Sequence, residues 1–284
     1  MNRDAFVETS QVVALREAVT MAMGAGAGFP GMVMGTGKAG TGKTRAARAL
    51  FAEHGGVYLR AMQGMSQAAF LQTLCFEVTG TEPHGSMRCK RAIIQTLGDE
   101  PAPIFVDEPE RLHTDRLEDL RDIHDMTGAP IVLIGELALE TKVNARSRLN
   151  DRIPEAFRVS FGEISSADVL LYAEQAASLA LTPAAAAYVK KHTQGNFRRV
   201  YNALLLLEAA AKVFLPSGRK SSIGNGGRMS IAGMTTTRPA TIWPAALPCW
   251  RAVRYVAWPS QKTLARTGRT SGRKAAPLNG LRSF

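Results

Sequence analysis

Met32-Val33-Met34-Gly35-Thr36 runs directly into Gly37-Lys38-Ala39-Gly40-Thr41-Gly42-Lys43-Thr44. The apolar run reads as a strand, the next eight residues fit G-x-x-x-x-G-K-[ST], and residues 45–52 read as a helix. Strand, glycine loop and helix in that order form a phosphate cradle. Gly37, Gly40 and Gly42 let the chain turn tightly, so that the amides of Gly37, Lys38, Ala39, Gly40, Thr41, Gly42, Lys43 and Thr44 can converge on an anion, helped by the positive end of the helix. In such a loop Lys43 reaches the β- and γ-phosphates and Thr44 ligates Mg²⁺. The expected cofactors are ATP and Mg²⁺.

Working outward, a helix is expected over residues 12–23 and short apolar strands over 31–34, 57–59, 104–106, 131–134 and 157–161, each separated from the next by a helical segment. Alternation of this kind predicts an α/β fold, a parallel sheet with helices on both faces. Beyond Phe161 the strands stop, and helical patterns cover 166–179, 182–192 and 196–214. The expected division is a nucleotide-binding α/β domain over 1–162, a small helical lid domain over 163–214 and a basic tail over 215–284.

The stretch Ala102-Pro103-Ile104-Phe105-Val106-Asp107-Glu108 delivers two adjacent carboxylates to the end of a strand. Ligands of open α/β sheets bind at that end. Behind a phosphate loop, Asp107 is placed to hold Mg²⁺ and Glu108 to polarise an attacking water. The pair argues against a nucleotide kinase, whose acceptor is a substrate and not water. Pro109 follows, and its fixed φ and missing N–H bear on how the loop carries Glu108.

The 284 residues carry a net charge of +11, but the charge is unevenly spread. Twelve of the 35 Lys and Arg lie beyond Leu215, while none of the 24 Asp and Glu lies beyond Glu208. The basic character therefore belongs to the tail, which is rich in Pro, Gly, Ser, Thr and Arg and has no sustained period. Three readings of it stay open: a disordered basic tail, a shifted reading frame or rearranged gene end, and a folded DNA-binding element. A flexible tail of that charge would bind phosphate backbones without reading sequence. Three cysteines without pairing density or zinc spacing fit a reducing compartment. With no membrane-length apolar run and no signal-peptide pattern, a cytoplasmic protein without membrane attachment is expected. The five histidines are scattered and carry no metal-ligand spacing.

With phosphate loop, Asp-Glu strand and trailing helices in order, the chain resembles AAA+ ATPases of the initiator and transposition-helper branch. It is most similar to the phage Mu B-like transposition ATPases and the related TniB and ExeA-type proteins. The stretch from Leu117 through Gly135 and the opening Phe6-Val7-Glu8-Thr9 carry that likeness, which spans about residues 5–213.

The resemblance implies ATP hydrolysis, ATP-dependent homo-oligomers on double-stranded DNA, and delivery of target DNA to a transposase partner. Alternatives are a nucleotide-gated interaction switch with little turnover and an ExeA-like assembly ATPase. It also implies residue roles. Arg152 first and Arg148 second stand where an arginine finger reaches a neighbouring subunit's ATP; a solvated or salt-bridged helix face is the other reading. Arg198 in Gly195-Asn196-Phe197-Arg198 stands at the sensor 2 position, or is a surface arginine. At the sensor 1 position the chain departs from the pattern with Gly135-Glu136, and Glu136 reads equally as the start of a helix.

Overall fold

The computed structural model describes residues 2, 4–24, 30–214 and 256–257. Five parallel strands, β1 (Met32–Gly37), β2 (Val57–Arg60), β3 (Ile104–Asp107), β4 (Ile131–Gly135) and β5 (Arg158–Phe161), form one sheet in the order β2-β3-β4-β1-β5. Each strand pairs in parallel with its neighbours, so all five C-terminal ends emerge on one edge. This is the α/β sheet expected from the alternation.

Side chains alternate across a strand, and the sheet shows it in the way its core divides. Met32, Met34, Ile104, Val106, Ile131 and Leu133 point to one face, where they meet Phe70, Leu71 and Leu74 of α3 (Gln67–Thr79), Ile93 of α4 (Ser86–Asp99) and Leu117 and Leu120 of α5 (Thr114–Thr127). Val33, Phe105, Val132 and Ile134 point to the other face, against Leu15 and Val19 of α1 (Ser10–Gly24) and Ala46, Ala47 and Leu50 of α2 (Lys43–His54). With both faces covered, the central strands bury every residue, which is why they read as continuous apolar runs.

α6 (Leu137–Asn144) and the single-turn α7 (Ser147–Asn150) link β4 towards β5. After β5 come α8 (Ser166–Ala177), α9 (Pro183–Thr193) and α10 (Phe197–Phe214). They have a core of their own, built from Ile164, Val169, Tyr172, Val189, Val200, Leu204 and Leu207. Ala5 and Val7, from the opening segment, are buried in that same core. Ser165 opens α8 with a reciprocal capping box to Asp168, a sharp local start where the chain leaves the sheet.

Of residues 215–284, only Val256–Ala257 are described, paired antiparallel with Ala180–Leu181. The other residues of the expected tail lie outside the described ones. Among the described residues no helix is long and apolar enough to cross a membrane.

Candidate nucleotide site

The loop after β1 turns through Gly40 at φ +81° and Gly42 at φ +98°, conformations that side chains with a Cβ rarely adopt, and α2 begins at Lys43. The helix thus starts inside the motif, two residues earlier than the sequence pattern suggested. Lys43 is buried. Its Nζ donates to the carbonyl oxygens of Gly37 at 2.7 Å and Lys38 at 2.8 Å, and the Thr41 hydroxyl donates to Lys38 O at 2.9 Å. Burial holds the Lys43 ammonium below the usual lysine range, opposed by the charges of Glu136, Glu110 and Asp107 and reinforced by that of Arg198.

Thr44, on the first turn of α2, meets the strand pair through its hydroxyl, which lies 3.1 and 3.2 Å from the two Asp107 carboxylate oxygens. Asp107 is itself buried at the end of β3 and also accepts from the Tyr58 hydroxyl at 3.1 Å. Burial, together with the Asp107 charge, pushes the Tyr58 phenol up to about 12, so it stays a donor. A hydroxyl and a carboxylate in contact behind a phosphate loop are hard oxygen ligands suited to Mg²⁺, which binds proteins through one or two such groups and keeps several waters.

Glu108 has a left-handed backbone, φ 59° and ψ 39°. The following Pro109 opens a 3-10 turn over Pro109–Arg111, and the residue before a proline is disfavoured in the right-handed helical region. A non-glycine residue held there stores strain, of the kind concentrated at functional sites. The carboxylate is occupied on both sides. Arg60 Nη2 donates to Oε1 at 3.0 Å, and Arg111 Nε sits 2.9 Å from Oε2 without the alignment of a hydrogen bond.

Glu110, in the same turn, was not singled out from sequence. Its Oε1 accepts from the Glu136 backbone N–H at 3.1 Å, and its carbonyl and that of Leu112 accept from Lys142 Nζ of α6. Glu136 stands at the start of α6, and two carboxylates, those of Glu136 and Glu110, act on Lys43 from the end of β4. Glu110 packs closely on Gly135: an added Cβ would lie 2.3 Å from Glu110 Oε2, and the carboxylate would have to move.

Across the loop, Arg198 at the start of α10 lines a cavity of about 270 Å³ with Gly40, Thr41, Gly42, Lys43, Thr44 and Arg45. Phe6, Val7, Tyr172 and Tyr201 are among the apolar and aromatic residues that line the same cavity. The opening segment, which sequence reading used only as a likeness, is one wall of this cavity.

The two finger candidates part company. Arg152 is held by Asp125 of α5, with Nε to Oδ1 at 2.8 Å and Nη2 to Oδ2 at 3.2 Å. Arg148 is exposed on α7 and makes no ion pair among the described residues, as does Arg146 just before it.

A family model described as an AAA domain matches residues 30–143. Among solved structures, the Cdc6p protein of Pyrobaculum aerophilum superposes with a TM-score of 0.54 at 15% identity, covering 72% of this chain and 62% of that one. A STAND (signal transduction ATPase with numerous domains) protein with a tetratricopeptide repeat sensor from Pyrococcus horikoshii superposes with a TM-score of 0.53 at 16% identity, covering 72% of this chain and 30% of that one. The chain thus spans less than two thirds of either structure. No curated protein sequence matches it. The fold is that of the AAA+ P-loop NTPases.

Proposed function

We propose that the chain binds Mg-ATP in this cleft and hydrolyses it. The observation that carries the reading is the contact of the Thr44 hydroxyl with the Asp107 carboxylate directly behind the Lys43 loop. The phosphate loop of one segment and the acidic strand of another, 63 positions apart, meet where a nucleotide's metal would sit.

In this reading the amides of residues 37–44 cradle the phosphates, and Lys43 leaves the Gly37 and Lys38 carbonyls for the β- and γ-oxygens. Thr44 and Asp107 hold Mg²⁺, which supplies charge neutralisation to the phosphates. Glu108 accepts the proton of the attacking water, once Arg60 and Arg111 give up its carboxylate. Arg198 reaches the phosphates from the helical side. The base lies against Phe6, Val7, Tyr172 and Tyr201. Arg148, free on its helix, is better placed than Arg152 to enter a neighbouring subunit's site, because Arg152 would first have to break two bonds to Asp125.

Residues 1–162 then serve as the nucleotide-binding domain, 163–214 as a lid and 215–284 as a basic tail, in a cytoplasmic protein. For what the turnover drives, we infer ATP-dependent oligomers on double-stranded DNA and target delivery to a transposase, which rests on the resemblance of residues 5–213 to transposition ATPases. A second reading, a nucleotide-gated partner switch with little turnover, is favoured by one specific observation, the engagement of Glu108 by two arginines.

Steady-state ATP hydrolysis by a chain ending at Phe214, with and without double-stranded DNA, separates them. Turnover stimulated by DNA supports the first reading, while tight nucleotide binding with no turnover and no DNA response supports the second. Glu108→Gln is expected to lower turnover by about 100-fold or more while leaving ATP binding intact. Lys43→Ala is expected to abolish binding. If neither substitution changes binding or turnover, the site has been misassigned.

A further inference from the structure

The start of α10 touches the phosphate loop, and one contact comes from an amide side chain. Asn196 Nδ2 donates to the Ala39 carbonyl at 2.8 Å, across 157 positions of sequence. Two residues on, the Arg198 backbone N–H donates to the Gly40 carbonyl at 3.2 Å. The fit is close. A Cβ on Gly40 would lie 2.6 Å from Asn196 Oδ1, and one on Gly42 would lie 3.3 Å from the Phe197 ring.

Asn196 also caps α10, its Oδ1 accepting from the Arg199 N–H at 3.2 Å. The orientation of the amide is settled by its partners, since Ala39 O only accepts and Arg199 N–H only donates. Just before it, Gly195 at φ +58° accepts from the Ile164 N–H at 3.0 Å, which ties this corner to the point where the chain leaves the sheet. A Cβ on Gly195 would meet Glu163 at 2.6 Å.

The consequence follows from peptide geometry. In a trans peptide the C=O and the following N–H point in opposite directions. With the Ala39 and Gly40 carbonyls held by Asn196 and Arg198, the Gly40 and Thr41 amides are turned to the opposite side of their peptides. Those are amides that an anion-binding loop must present. We propose that Asn196 is a positioning residue for the phosphate loop: by holding the Ala39 carbonyl from the helical side it sets the loop amides in their binding orientation and so controls how long a nucleoside di- or triphosphate stays bound. The inference rests on the nucleotide-binding reading above. It makes the lid contribute to affinity through the loop backbone, in addition to any direct contact by Arg198.

Cap and latch use different atoms of one side chain, and substitution separates them. Asn196→Asp and Asn196→Ser both keep an N-cap acceptor, so the start of α10 is retained. The carboxylate has no donor for Ala39 O and opposes it with charge, and the serine is too short to reach. The experiment is stopped-flow release of N-methylanthraniloyl-ADP from the 284-residue chain and from both variants. Both variants are expected to release roughly five- to tenfold faster than the parent, the worth of one lost hydrogen bond. For Asn196→Asp the excess should shrink as pH is lowered from about 7.5 to about 4, where a carboxyl of ordinary pKa, about 3.9, is roughly half protonated and regains a donor. The Asn196→Ser excess should not change over that range.

Release at the parent rate in both variants overturns the proposal, as does an Asn196→Asp excess that ignores pH, since a general loosening of the lid would not follow the donor. Absence of saturable nucleotide binding by the parent chain sinks the nucleotide reading itself, and this proposal with it.

Discussion

Removing the carboxylate of Asp119 is expected to cost the sheet's helical layer about 3 kcal/mol. Asp119 is buried on α5 and is the meeting point of three helices. Gln67 of α3 donates to both its oxygens at 3.3 and 3.1 Å, Lys90 of α4 to Oδ1 at 3.2 Å, and Arg116 of α5 to Oδ2 at 3.1 Å. The Lys90, Arg116 and Asp119 side chains are only 15, 11 and 8% exposed. Asp119→Ala leaves two poorly solvated cations facing a void, and breaking a buried pair from one side costs on the order of 3–5 kcal/mol. The lower end applies here because Lys90 keeps Asp122, at 2.7 Å on a more exposed carboxylate. Against a total stability of about 5–15 kcal/mol for a domain, the loss is easily read from the midpoint of urea unfolding at unchanged slope. Asp119→Leu combined with Arg116→Met and Lys90→Met should recover most of it, since a packed apolar cluster avoids the desolvation of charge. A shift in Asp119→Ala worth less than about 1 kcal/mol would refute the argument, because it would mean that water already solvates this network.

Two further substitutions test the turn that carries Glu108. Arg60→Ala frees one side of the Glu108 carboxylate and is expected to raise basal ATP turnover severalfold with little change in nucleotide affinity; a fall in turnover would show that Arg60 assists hydrolysis and does not restrain it. Gly135→Ala drives a methyl into Glu110 Oε2 and should displace the carboxylate from the Glu136 N–H, costing about 1–3 kcal/mol in thermal unfolding measurements and lowering turnover together with it. Stability and turnover both at parental values would mean that the turn accommodates the methyl without moving.

The strands were legible because parallel strands covered on both faces are unbroken apolar runs, and 31–34, 57–59, 104–106, 131–134 and 157–161 each contain or overlap an observed strand. The errors are at ends. β1 runs on through the motif's first glycine because Gly37 still pairs with Phe161 on β5, a partner no local pattern reveals. The phosphate loop and the Asp107-Glu108 pair were legible as local strings. Arg60 was not, although the register that sets it beside Asp107 follows once Val57 is paired with Ile104. Glu110 and Asn196 were missed as functional candidates for a similar reason. Each acts on backbone atoms far along the chain, and such a contact leaves no spacing in the sequence. Arg152 was read as a finger candidate, and the acid that pairs with it, Asp125, lies on α5, 27 positions away, where no local spacing links the two.

Ala5, Phe6 and Val7 line the cavity beside the loop while Ala5 and Val7 are also buried in the helical core, so this segment is shared between the packing of the helices and whatever the cavity holds. Occupancy of the cavity and anchoring of that segment are then linked equilibria, and whatever favours one must favour the other by the same free energy. A label, fusion or cleavage site introduced among the first nine residues would be a reporter of the bound state as much as a handle on the chain, and a handle that pulls the segment away would act as an antagonist of the ligand.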